Sequence, residues 1–239
     1  KDYQDLTAIS CGENDWTSID LSKNAKLIEL YCESHKFKTL DLSKNKKLQY
    51  LSCENGALTS LNLSNNVALE KVYVYNNKLK VLNISKNNKL SLLNCKQNKL
   101  TTLYLNNNSL KTLYCSNNNL KSLNTSKNKN LSSLECDHNK LTKINISNNK
   151  KIGFLNCSYN KLKSLKTNKN KKLYHIECNN NKIKKLNLKK NKQLTYLNCK
   201  HNKIKKLDLR KCKKMRKGNL KCDKKVKVKK NKGFNKKKK

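Results

Sequence analysis

A cysteine returns every 21 residues at Cys11, Cys32 and Cys53, again at Cys95, and at Cys115, Cys136, Cys157, Cys178 and Cys199. Self-similarity at a fixed period of about 20 to 50 residues marks stacked units, none of which can bury its apolar face alone. Leu48 to Asn66 reads LQYLSCENGALTSLNLSNN, two successive phrases of the form L-x-x-L-x-C-x-x-N-x and L-x-x-L-x-L-S-x-N-x-x. A shorter repeat of 10 or 11 residues is thus nested in the longer one. Ten units begin at Leu6, Leu27, Leu48, Leu69, Leu90, Leu110, Leu131, Ile152, Leu173 and Leu194. One residue is deleted between Asn108 and Leu110, and Val74 stands where the fourth cysteine belongs.

The L-x-x-L-x-C step alternates with period 2, so Leu51 and Cys53 point inward while Tyr50, Ser52 and Glu54 point out. The second phrase has the same shape and leaves little room for a helix. The expected fold is a solenoid of ten stacked coils with short parallel strands, extended segments on both sides and little or no helix. The repeat resembles the leucine-rich repeat family, whose hallmark is L-x-x-L-x-L-x-x-N-x-L, and its nesting is similar to the bacterial 21-residue subclass called IRREKO. The match covers residues 6 to 212. The resemblance implies a bacterial protein that is secreted or displayed at the cell surface and binds protein or glycan, while a reduced cysteine ladder also fits a cytoplasmic protein. The chain begins KDYQDLT, as a mature or trimmed product would, and holds no apolar run long enough to cross a membrane as a helix.

Two asparagine columns close the corners, one through Asn77, Asn98, Asn118, Asn139, Asn160, Asn181 and Asn202, the other from Asn24 through Asn87, Asn108 and Asn128 to Asn191. An amide donates and accepts at once, so such a column serves turn backbone in its own coil and in the next. The cysteines Cys11 through Cys199 read as small buried hydrophobes. No paired C-x-x-C ligand motif for a metal is present, and stacked side chains point too nearly parallel to suit disulfides. Cys212 and Cys222 leave the register where the repeat decays; they either pair and close a small cap or stay free.

Charge is polarised. Residues 1–120 hold 16 basic and 10 acidic residues, residues 121–239 hold 40 and 5, and together they give the net +41. The expected organisation is a lead-in over 1–5, the solenoid over 6–212, a degenerate cap over 213–223 and a flexible lysine-rich tail over 224–239. Lys184, Lys185, Lys189, Lys190, Lys205, Lys206, Arg210, Lys224 and Lys225 are the candidate contacts to anionic polymers such as cell-wall polyanions or sulfated glycans.

Outward columns of the second phrase are monotonous, with Asp20, Asp41, Asn62 and Asn83 beside Ser22, Ser43, Ser64 and Ser85. They read as scaffold. Beside the cysteines the columns vary and collect aromatics and acids. Tyr31, Tyr50, Glu54, Tyr73, Tyr75, Tyr114, Glu135, Asp137, Phe154, His175, Glu177 and Tyr196 are therefore the candidate partner-binding residues. Histidines are scattered, no nucleophile motif or glycine-rich phosphate loop occurs, and no cofactor is implied. A non-catalytic binding module is the leading expectation. The alternatives are a non-specific nucleic-acid or polyanion binder and a spacer displaying a further domain.

Overall fold

The computed structural model describes residues 3–235, which fall into two compact units, Lys1–Leu120 and Lys121–Lys239. These units coincide with the two charge regimes read from the sequence. The first holds β1 (Ala8–Ser10), β2 (Glu29–Tyr31), β3 (Tyr50–Ser52), β4 (Lys71–Tyr73), β5 (Val81–Asn83), β6 (Leu92–Asn94), β7 (Thr102–Tyr104) and β8 (Thr112–Tyr114). Strands β1, β2, β3, β4, β6 and β8 pair in that order, all parallel, on the cysteine side, and β5 pairs with β7 on the other. The second unit holds β9 (Ser133–Glu135), β10 (Phe154–Asn156), β11 (His175–Glu177), β12 (Tyr196–Asn198), β13 (Lys206–Asp208), β14 (Leu220–Lys221) and β15 (Lys227–Lys229). There β9, β10, β11, β12 and β14 form the cysteine-side sheet, and β13 pairs with β15 opposite. One 3₁₀ turn, Lys217–Asn219, is the only helical element among the described residues.

Each strand is three residues or fewer because only its central residue can face the narrow core. Leu30, Leu51, Val72, Leu93, Leu134, Leu155, Ile176 and Leu197 are all fully buried, as are Cys32, Cys53, Cys95, Cys115, Cys136, Cys157 and Cys178. Two residues after each ladder position from Cys11 to Cys199, with Val74 standing in the fourth coil, the backbone turns with φ near +50°, at Glu13, Ser34, Asn55, Asn76, Gln97, Asn117, His138, Tyr159, Asn180 and His201. None of these is glycine, so each of the first ten coils carries the cost of a left-handed corner. Bonds to the next coil offset it, as in Asn55 N–H to Tyr75 O at 3.1 Å.

The first asparagine column is saturated. Asn77 accepts from Leu58 N–H in the coil before and donates to Cys53 O at 2.8 Å. In the second column the donors are satisfied, Asn66 Nδ2 reaching Leu42 O and Asn45 O, but the buried Oδ1 atoms of Asn45, Asn66, Asn87 and Asn170 have no donor among the described residues. Two coils solve this by placing threonine at an inward position. Thr125 Oγ1 donates to Asn149 Oδ1 and Thr167 Oγ1 to Asn191 Oδ1, each at 2.8 Å. Thr125→Val keeps the shape and removes the donor, so it should cost about 1–3 kcal/mol, read as a lower denaturation midpoint at unchanged slope.

Three sequence expectations change. The deletion shifts the asparagine column by one residue, so that Asn107, not Asn108, is buried and donates to Asn87 O at 2.8 Å. The cap over 213–223 is instead an eleventh coil. Met215 is fully buried in the leading-leucine position, Cys222 continues the ladder after Cys199, and Cys212 occupies the asparagine column. Both cysteines are free, and belonging to different columns they do not form the cap disulfide. Finally, the chain is ordered past Lys224. Strand β15 pairs with β13, Asn231 donates to Cys212 O and Met215 O, and Phe234 is buried. Lysines at every second position disguise the inward Val226, Val228 and Phe234; only residues 236–239 of the expected tail lie outside the described residues.

Candidate functional site

In-register parallel pairing sets the outward side chains of one strand directly beside those of the next. In the first unit this places the Tyr50 ring 4.9 Å from that of Tyr31 and 5.5 Å from that of Tyr73, tilted by 34° and 36°. Ser52 lies between Tyr31 and Tyr73 in the same column. Although outward, it is buried beneath its neighbours. Its hydroxyl lies 2.6 Å from Glu33 Oε1 and 2.8 Å from Glu54 Oε2, so one proton serves two carboxylates. Burial raises the Glu54 carboxyl, the Ser52 contact lowers it and the Glu33 charge raises it further. Tyr31 donates to Glu29 Oε2 at 2.9 Å, which pushes its phenol up, and burial beside Tyr73 and Tyr31 pushes Tyr50 up to about 12. Neither Glu33 nor Glu54 is ion-paired with a lysine among the described residues, in a chain with 56 basic residues.

The other predicted partner-binding residues divide into smaller groups. Tyr75 is half-buried outside the tyrosine cluster, and Tyr114 lies under Lys96, whose ammonium is 4.6 Å from the ring centroid. In the second unit Phe154, His175 and Tyr196 form a stack with centroids 4.5 and 4.3 Å apart. Glu177 holds His175 Nε2 at 2.9 Å. Asp137 contacts His138 Nδ1 at 2.8 Å, and His138 stacks on Tyr159 at 4.1 Å; Glu135 is half-buried in the adjoining column. Glu29, Glu33 and Ser52 were not singled out as site residues by the sequence. Their signal is positional: each occupies an outward column within one coil of a tyrosine.

All nine predicted polyanion contacts are exposed in the second unit. Pairing of β13 with β15 puts Lys206 beside Lys227, and Lys184, Lys185, Lys203, Lys205 and Lys206 line a shallow recess with Leu186 at its floor. Arg210 differs from the lysines. Its guanidinium grips Asp208 through Nε at 3.0 Å and Nη2 at 2.7 Å, holding that carboxyl well below its usual range and neutralising much of its own charge.

The fold and its ladders define a leucine-rich repeat solenoid of 21-residue coils, and the chain belongs to the leucine-rich repeat family. Within it, the functional domain of InlJ from Listeria monocytogenes, described as including a cysteine ladder, is 33% identical with a TM-score of 0.88. That similarity covers 95% of this chain and 51% of the InlJ chain, so the chain spans about half of that relative. A leucine-rich repeat protein of Leptospira interrogans (21% identical, TM-score 0.72, 95% and 67% covered) shares the fold. So does the internalin inlF of Listeria monocytogenes (20%, 0.67, 91% and 71%). No protein-family model matches the sequence, and no curated protein matches it. Among the described residues no helix is long and apolar enough to cross a membrane.

Proposed function

We propose that the chain is a non-catalytic binding module that holds a protein or glycan on its cysteine-strand face, with the lysine-rich second unit contacting anionic polymers. The observation that carries the first part is the Tyr31–Tyr50–Tyr73 cluster with Glu33 and Glu54 kept clear of lysine. Tyrosine offers large contact area at low entropic cost, and unneutralised carboxylates beside it suit a partner presenting an amine, guanidinium or hydroxyl group. Resemblance to exported bacterial repeat proteins supports secretion or display at the cell surface. A signal peptide encoded upstream would test that placement.

Binding should be screened on a glycan array and on immobilised basic proteins, comparing the parent chain with Tyr50→Ala and with Ser64→Ala/Asn83→Ala. Truncating a buried interface tyrosine costs about 2 kcal/mol or more, so Tyr50→Ala should weaken any hit roughly 30-fold while thermal stability barely changes. Loss of binding in the Ser64/Asn83 variant alone would move the recognition face to the opposite side. Nucleic acid is the second reading for the lysine face: lysine is a point charge, and only Arg210 and Arg216 could offer bidentate base contacts.

A further inference from the structure

The first asparagine column is broken in two adjacent coils. Asparagine fills it at Asn14, Asn77, Asn98, Asn118, Asn139, Asn160, Asn181 and Asn202, but the second and third coils carry His35 and Gly56. The two exceptions belong together, because a Cβ at Gly56 would collide with the His35 imidazole. The ring is buried, stacks on Phe37 at 4.4 Å, and accepts the Phe37 backbone N–H on Nδ1 at 3.0 Å. Burial lowers its pKa and keeps it neutral, so its proton resides on Nε2, which lies 3.2 Å from Cys53 Sγ. Cys32 Sγ approaches the same sulfur to 2.7 Å and can donate to it. Cys53 therefore has two donors aimed at its sulfur. Burial pushes the thiols of Cys95 and Cys199 up to about 12 and raises Cys157 and Cys178 strongly, and Cys32 is raised too, by its contact with Cys53 and by burial.

We infer that, against the expectation that stacked ladder side chains suit disulfides poorly, the 2.7 Å approach of their sulfurs makes Cys32 and Cys53 a redox-active dithiol, closed reversibly by exchange with a small disulfide, with His35 steering attack to Cys53. Both donors converge on the Cys53 sulfur, which makes it the attacking sulfur, while Cys32 holds its proton and serves as the resolving one. Cys53 thiolate attacks one sulfur of R–S–S–R, forming a mixed disulfide and expelling RS⁻. Cys32 then passes its proton to the released thiolate and attacks the Cys53 sulfur, expelling the second RS⁻. The Cys53 proton, given to water when its thiolate forms, is taken up by the second RS⁻, so the protein loses two thiol protons and two electrons and the disulfide leaves as two RSH. Both sulfurs are fully buried, so exchange proceeds through local opening of these coils.

The full chain should be incubated with oxidised glutathione, acid-quenched, alkylated and mapped by peptide mass spectrometry. The expected result is one dominant cross-link, Cys32 to Cys53. His35→Asn/Gly56→Asn restores the repeat's own asparagine rung and keeps both cysteines. It should slow closure about tenfold, the loss expected for one hydrogen bond to a charged group. Cys32→Ser should trap glutathione on Cys53. Cross-links spread evenly over the ladder, no Cys32–Cys53 link, or an unchanged rate in the asparagine variant would each overturn the assignment.

Discussion

Asn160→Ala is expected to lower the stability of the second unit by roughly 3 kcal/mol or more. The Asn160 side chain accepts from Leu141 N–H at 2.9 Å and donates to Cys136 O, Cys157 O and Ser158 O at 2.9, 3.3 and 3.0 Å. Alanine removes all of these contacts at a buried position where water does not replace them freely, and a buried unsatisfied backbone group costs about 1–3 kcal/mol. The exposed Ser147→Ala nearby should stay within about 0.5 kcal/mol of the parent. Denaturant titration of both variants checks the contrast. Equal midpoints would mean that the column is decoration on a core held by leucine alone.

The second large effect is ionic. If the lysine face neutralises six to ten anionic groups, its affinity for a heparin column should fall about 10³- to 10⁵-fold between roughly 50 and 200 mM salt. Lys184→Gln/Lys205→Gln/Lys225→Gln should flatten the log–log slope by about 0.7–0.9 per lysine removed. Substitution is the cleaner test, because deleting residues 224–239 would remove β15 and the buried Phe234. Arg210→Gln should change the slope less than any one of the lysine replacements, since Asp208 already occupies its guanidinium. A slope unaltered by the triple substitution would exclude this face as the polyanion contact.

What recurs along the chain was legible in it. Leucine and cysteine at fixed spacing, alternating inward and outward positions, and asparagine at the corners are one-dimensional signals, and they suffice for a solenoid in which each coil is bounded by copies of itself. Candidate partner residues were legible only as columns. Whether Tyr50 meets Tyr31 and Tyr73, or whether Tyr114 instead lies under Lys96, depends on register between strands 20 or 21 residues apart and on side-chain direction, which no local pattern encodes.

Irregular positions divided the two levels most sharply. From the sequence alone the asparagine column was placed on Asn108, one residue from the buried Asn107, and the K-V-K-V-K run looked like a solvated tail. Neighbouring coils decided both, because a carbonyl at Asn87 needed a donor and a strand at Lys206–Asp208 offered an open edge. His35 stood in the sequence as one histidine among four. Only stacking brought it, with the space left at Gly56, onto the sulfur of Cys53 eighteen residues away. Repetition determines what each coil does on its own; the exceptions acquire meaning only from the side chains that the next coil sets against them, at contact distances fixed by backbone pairing.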